Sequence, residues 1–217
     1  MKYKCLVFDH DDTVVDSTRN VHYPSYLAYM NKNHPDKIVS LEDYMIYNFN
    51  PGVLEFFKNI QGLTDEECVE EENFWKDYAS KCTSKAYPYM KEIMEEHKKR
   101  GGIIAVVSHS YPENILRDYK ENGLPTPDIV FGWDQPKEER KPSPIPLYKI
   151  MDKYSLTNKD LLMIDDLKPG CDMAKKAKVD FVAASWAFNI PENRKYMDEN
   201  ADYIFETTKQ LKEFLEY

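Results

Sequence analysis

YKCLVFDHDDTVVDS, residues Tyr3 to Ser17, decides the fold. Its first half, Tyr3–Phe8, is a short apolar run of strand length, too short for a core helix. An apolar strand without polar alternation is buried on both faces, as in a parallel sheet covered by helices. Its second half holds four carboxylates in eight residues: Asp9, Asp11, Asp12 and Asp16. In open parallel sheets ligands bind just beyond the carboxyl ends of strands, which is where Asp9 falls. The plain structural alternative is a polar loop in which Asp12 or Asp16 caps the next helix. That does not account for Asp9 and Asp11 together, because crowded carboxylates repel unless a cation offsets them.

Further along the chain, Ile103–Val107, Ile129–Phe131, Leu161–Ile164, Phe181–Ala184 and Tyr203–Phe205 repeat the strand pattern. Helical patterns lie between and after them at Pro88–Arg100, Pro112–Asn122, Gly170–Lys178 and Thr208–Tyr217. Ser143 followed by Pro144 is expected to start another, with serine as the cap. This alternation specifies an α/β fold, a doubly wound parallel sheet. Residues 17–83 break the rhythm. They hold no strand signal, and Thr64-Asp65-Glu66-Glu67 is a capping box. Val69, Trp75, Tyr78 and Cys82 are expected to form the packed stripe of the helix that follows. The chain is therefore expected to form a core, 1–16 and 84–217, carrying a small helical cap at 17–83.

A second carboxylate cluster closes the strand Leu161–Ile164: Asp165 and Asp166, followed by a turn through Pro169-Gly170. Two all-oxygen clusters at strand ends suit a hard cation and favour Mg²⁺ over zinc. Adjacent strand residues face opposite ways, so Asp166 is the firmer ligand of the pair. Ser108, at the end of a third strand, offers a hydroxyl, though a serine there commonly caps a helix. Lys141 in EERKPSP would by itself read as a solvated charge.

The composition excludes other classes. With a net charge of -9 the surface repels phosphate backbones and anionic lipid, so neither nucleic acid nor membrane is an expected partner. Seven glycines and no G-x-G-x-x-G or G-x-x-x-x-G-K-[ST] exclude a glycine-rich nucleotide cradle. Cys5, Cys68, Cys82 and Cys171 are scattered, and Cys5 and Cys171 read as buried hydrophobes in a reducing compartment. No basic leader or bilayer-length apolar stretch is present, which makes the cytoplasm the expected compartment.

Taken in order, DHDDT at Asp9–Thr13, Ser108, Lys141 in KPSP and Asp165-Asp166 resemble the four motifs of the haloacid dehalogenase-like hydrolase superfamily. The resemblance runs over essentially the whole chain, and the helical insert looks like its C1 cap. It implies an Mg²⁺-dependent phosphohydrolase acting on a small phosphorylated metabolite. Asp9 would be the nucleophile and form an aspartyl-phosphate. Asp11 would be the acid and base, and its backbone carbonyl would bind the metal. Asp9, Asp11, Asp165 and Asp166 would thus be the metal ligands. Ser108, His109 and Lys141 would hold the substrate, with Ser108 and Lys141 on the transferring phosphoryl group, and the cap would close over the site. His109 stands where many relatives have asparagine, Asp12 where glycine is common, and Leu167 where serine is frequent. Asp11 argues against a dehalogenase or a phosphonate-cleaving enzyme. A sugar-phosphate mutase of the β-phosphoglucomutase type is a rival reading, but Val21 occupies the place of its cap histidine, with His22 one residue late. A receiver domain arranges its aspartates on strands in another order, and a silent phosphate-binding protein would be expected to have lost a motif residue. Neither the individual substrate nor the oligomeric state is legible.

Overall fold

The computed structural model describes all residues, Met1–Tyr217. The chain opens with β1 (Cys5–Phe8) and a two-residue strand β2 (Val15–Asp16). Four helices follow: α1 (Tyr23–Asn33), α2 (Leu41–Phe49), a single turn α3 (Val53–Glu55) and α4 (Asp65–Ser80). After β3 (Lys85–Ala86) strands and helices alternate: α5 (Met90–Lys99), β4 (Ile103–Val107), α6 (Pro112–Glu121), β5 (Ile129–Phe131) and α7 (Ile145–Tyr154). The chain continues with β6 (Leu161–Asp165), α8 (Lys168–Ala177), β7 (Asp180–Ala184), α9 (Pro191–Asn200), β8 (Tyr203–Phe205) and α10 (Thr208–Phe214).

Six strands form one parallel sheet in the order β5-β4-β1-β6-β7-β8. β1 is central, with Cys5 opposite Ile103 of β4 on one side and Leu161 of β6 on the other. All four of its residues are buried, so the apolar run expected to be covered on both faces is covered. Successive elements wind away from β1 in both directions, which leaves a crevice at its carboxyl end between β4 and β6. By contact density the chain divides into two compact units, Met1–Asp16 with Lys85–Tyr217, and Ser17–Ser84. Within the first unit, β2 and β3 pair antiparallel, Val15 opposite Ala86 and Asp16 opposite Lys85.

The sequence pattern errs where local signals are weak. α9 was not anticipated: PENRKYMDEN is nearly all polar, and only Met197 is buried. α7 begins at Ile145 with Pro144 in the cap position, and Ser143 makes no capping bond. Asp16 Oδ1 accepts from the Tyr87 hydroxyl at 3.3 Å, and Ser17 stands at the N-terminus of the next helical turn. In the Ser17–Ser84 unit the capping box forms as expected. The stripe on α4 differs from expectation, since Val69 is exposed and Glu71 and Ala79 are buried. At 100° per residue Glu71 shares a face with Trp75, Tyr78 and Cys82, whereas Val69 lies far round the helix. All four cysteines are free, and Cys5 and Cys171 are buried. No helix is long and apolar enough to cross a membrane.

His97 on α5 is a buried structural histidine. Its Nε2 donates to the Ile103 carbonyl at 3.1 Å and its Nδ1 accepts from the Tyr217 hydroxyl at 2.6 Å. Burial pushes the imidazole down to about 4, against the opposing pull of the Ile103 bond. In the unfolded chain a histidine titrates near ~6.5, so on acidification the unfolded state takes up its proton first. The stability contributed by the neutral ring is therefore complete above that pH and is lost as pH falls towards the folded value. Between pH 7 and 5 the loss is about 2 kcal/mol. The urea midpoint of His97→Gln is expected to fall less over this interval than that of the parent chain. Parallel profiles would show that the ring is not carrying the linkage.

Candidate active site

At the carboxyl end of β1 the backbone stays tied to the sheet for one more residue, with Asp9 N donating to the Ile164 carbonyl at 2.8 Å. The chain then turns sharply. Val14 N and Val15 N both donate to the His10 carbonyl, and Asp12 takes a left-handed conformation with φ +55°. Glycine and aspartate tolerate that conformation best, which explains why aspartate can stand at this position. His10 is buried. Its Nε2 lies 3.2 Å from Asp118 Oδ2 of α6, and its ring stacks on Tyr119.

Asp9, Asp165 and Asp166 each bring one carboxylate oxygen to within 4.8 Å of the others. β1 and β6 are adjacent and in register, so the clusters that end them must meet. Lys141 Nζ sits between two of these groups, 2.9 Å from Asp9 Oδ1 and 2.7 Å from Asp165 Oδ2. The lysine is buried. Burial opposes its charge, but Asp165 and Asp9 outweigh it and raise its pKa. The residue that reads as a solvated charge in isolation is thus a buried cation in a carboxylate cluster.

Asp165 has no free oxygen: Oδ2 accepts from Lys141, and Oδ1 accepts from Leu167 N at 2.8 Å. Burial pushes it up to about 7, with Asp9 adding to the shift and Lys141 opposing it. Burial also raises Asp166 well above the usual carboxylate range, and the charges of Asp165, Asp12 and Asp9 add to this. Asp166 Oδ1 accepts from the Thr13 hydroxyl at 3.4 Å. Three mostly buried carboxylates with one lysine leave negative charge uncompensated. Their all-oxygen donor set is the chemistry a hard divalent cation requires, so the residues fit a metal.

The Asp11 carboxylate lies outside that group and accepts a short hydrogen bond from the Ser110 hydroxyl. Ser108 is buried just past β4, and its Oγ accepts from Ser110 N at 3.2 Å. It caps no helix, since α6 starts at Pro112 after Tyr111. His109 Nε2 donates to the Lys141 carbonyl at 3.1 Å, and burial, with the nearby Lys141 charge, pushes the ring down to about 3. His109 therefore ties the Ser108 loop to the Lys141 loop as a neutral ring.

Sequence reasoning missed four supports. Ser110 orients Asp11, and Thr13 bonds Asp166. Trp186 Nε1 donates to the Thr13 carbonyl at 3.0 Å, holding the turn that Asp12 bends. Ser110 and Thr13 adjoin the motifs and could have been suspected from position alone. Trp186, far along the chain, carries no local signal. The fourth is Gly170, where an added Cβ would lie 2.1 Å from Asp165 Oδ2. A glycine in a helix normally gains about 1 kcal/mol on replacement by alanine. Here the added methyl meets a buried carboxylate bonded at both oxygens. Gly170→Ala is expected to lower stability by about 1–3 kcal/mol and to weaken turnover as Asp165 leaves Lys141. A raised urea midpoint would show that Asp165 yields without cost.

Residues 6–184 match the profile of the haloacid dehalogenase-like hydrolases, and the chain belongs to that family. It is a hydrolase, and its curated relatives include phosphatases. It is 26% identical to a phosphoglycolate phosphatase of Haemophilus influenzae, over 97% of both chains, and 27% identical to one of Mannheimia succiniciproducens over the same shares. Among solved structures it superposes on a candidate haloacid dehalogenase-like hydrolase from Bacteroides fragilis with TM-score 0.81. The identity there is 22%, over 97% of this chain and 100% of that one. The β-phosphoglucomutase of Clostridium difficile gives 0.69 at 19% identity, over 99% and 96%. At such identities the structural likeness concerns the fold.

Proposed function

We propose that the chain is an Mg²⁺-dependent phosphohydrolase that cleaves a small phosphate monoester through an aspartyl-phosphate on Asp9. The observation that carries this reading is Lys141 Nζ within 3 Å of both Asp9 and Asp165, beside Asp166, at the end of the central strand. A buried lysine beside the nucleophile holds its carboxylate in place and presents positive charge to the phosphoryl oxygens.

Asp9 attacks phosphorus in line with the leaving oxygen, and Lys141 and the Ser108 hydroxyl bind the phosphoryl oxygens. Asp11, held by Ser110, gives its proton to the leaving oxygen. The same carboxylate, now a base, takes a proton from the water that opens the acyl phosphate. Asp9, Asp166 and the main-chain carbonyl of Asp11 would hold the metal. Asp165 would reach it through water, because both its oxygens are engaged. A divalent cation there offsets charge on the transferring phosphoryl group.

The Ser17–Ser84 unit is proposed as the lid that selects the substrate. Four polar or aromatic side chains near its ends and loops each have a partner within the unit. His22 Nδ1 accepts from Trp75 Nε1, Tyr23 donates to the Val39 carbonyl, Tyr47 stacks on Phe56, and Asn48 donates to the Tyr44 carbonyl. The mutase reading rests on the register alone: His22 stands one residue past the place of the mutase histidine.

The test is release of p-nitrophenol from p-nitrophenyl phosphate by the purified chain. Turnover is expected with Mg²⁺, to stop with EDTA and to return when Mg²⁺ is restored. Turnover that survives chelation would remove the metal from the reading. Failure to turn over any phosphate ester would leave a binding protein.

A further inference from the structure

His10 stands between Asp9 and Asp11 in the chain, and its buried side chain packs against α6. Its Nε2–H donates to Asp118 Oδ2 at 3.2 Å, and its ring stacks on Tyr119 with centroids 5.9 Å apart. Nδ1 is buried without a hydrogen-bond partner, so Asp118 is the polar group that directs the ring. Asp118 is itself buried and held. Its Oδ1 accepts from Arg117 Nη2 at 3.5 Å, and its carbonyl accepts from Asn122 Nδ2 at 2.8 Å.

A polar pair at this position is costly. Leucine or phenylalanine would fill the space beside Tyr119 without taking a carboxylate out of water. What the pair supplies, and an apolar side chain does not, is direction, because a hydrogen bond fixes the orientation of the ring. The main chain of the same residue is the pivot of the turn, with its carbonyl accepting from Val14 N at 2.9 Å and Val15 N at 3.1 Å. On one side of it Asp9 is anchored independently, by its own N–H on the Ile164 carbonyl and by Lys141 on its Oδ1. On the other side Asp11 is held by the Ser110 hydroxyl, and Ser110 lies on the loop that enters α6 at Pro112. The placement of Asp11 is thus referred twice to one helix, through Ser110 ahead of its first turn and through His10 on Asp118 near its end.

We propose that His10, oriented by Asp118, is a positioning residue that sets the Asp11 carboxyl for proton transfer to the leaving oxygen. The inference rests on the hydrolase reading above and adds to it a pair that acts only through the turn. Misplacing a reacting group by about 1 Å costs on the order of 10²-fold, and general acid–base catalysis as a whole is worth roughly 10²–10⁴. Loss of the anchor is therefore expected to lower the part of the rate that needs the acid and to spare the rest.

The experiment compares phenyl phosphate with p-nitrophenyl phosphate, using the full chain with Mg²⁺. The two esters have nearly the same shape, but phenolate needs a proton to leave and nitrophenolate does not. The ratio of kcat/KM for phenyl over p-nitrophenyl phosphate therefore reports the acid in the first chemical step. In His10→Phe, which keeps the aromatic stack and removes the bond, the ratio is expected to fall about tenfold. Asp118→Leu is expected to give the same fall, and it carries the test if His10→Phe does not fold. The double variant is expected to fall no further, because the two side chains act through one bond. Asp118→Asn retains an oxygen for His10 Nε2–H and is expected to keep the parent ratio. An unchanged ratio in both His10→Phe and Asp118→Leu would overturn the inference. So would equal losses on both esters, which would make the pair a packing element, or a fall in Asp118→Asn as deep as in Asp118→Leu. A parent chain that hydrolyses only the p-nitrophenyl ester would have no working acid to position, and the inference would fall while the hydrolase reading stood. A parent chain that hydrolyses neither ester would overturn the hydrolase reading and the inference with it.

Discussion

Asp9→Asn is expected to lower turnover by a factor on the order of 10⁴ or more, comparable to the removal of a nucleophile elsewhere. An amide oxygen does not attack phosphorus, and no neighbour can take its place. Asp165 is locked to Lys141 and Leu167 N, and Asp11 is held by Ser110. The same substitution should not unfold the protein. It removes one carboxylate from a group of three, two of them buried, and the asparagine oxygen can still accept from Lys141. Thermal unfolding is expected at the parent temperature or slightly above it, the usual relation when a strained charged site is neutralised. Acid quench of the parent chain with labelled substrate should trap phosphate on protein, and the variant should trap none. Residual activity above about a hundredth would place the nucleophile elsewhere, because acid–base effects alone are worth roughly 10²–10⁴.

Asp11→Asn is the second large effect, a loss of about 10²–10⁴ in kcat. Its amide oxygen can still accept from Ser110, so the loop should keep its shape while the proton donor and base are removed. The two chemical steps should then separate. The nitrophenolate of p-nitrophenyl phosphate leaves without a proton, so the first step is slowed little. Opening of the acyl phosphate is slowed for every substrate, because the attacking water has lost its base. A burst of p-nitrophenol near one equivalent of enzyme is expected, followed by slow turnover. Alkyl phosphates should show no burst, since their leaving oxygen requires the acid. Slow release without a burst from both kinds of ester would assign the base to another group.

Both expectations come from a segment whose meaning is largely local. An apolar run of strand length, followed at once by aspartates, specifies a buried strand and a charged end. The same holds for the run that ends in Asp165 and Asp166, and β1 and β6 prove to be neighbours in register. The capping box at Thr64 was legible for the same reason, because its bonds close within four residues. Local chemistry failed where the pattern was polar throughout, as in α9, or where a two-residue offset moved Val69 off the packed face of α4.

The sequence by itself determined the strands, the alternation and the identity of the charged ends, since each follows from side-chain period and short-range bonding. Only the tertiary structure decided how the charges are shared. Lys141 is buried because β1 and β6 bring Asp9 and Asp165 to it from distant parts of the chain. Both oxygens of Asp165 are engaged, and its carboxylate fits only because Gly170 has no side chain. Trp186 holds the Thr13 carbonyl across a separation of 173 residues. Arg140 lies on the ring of Trp133, whose main-chain N–H donates to the Ser110 carbonyl. Each of these contacts depends on the packing of elements far apart in the chain, and no pattern along the sequence records which side chains that packing will bring together.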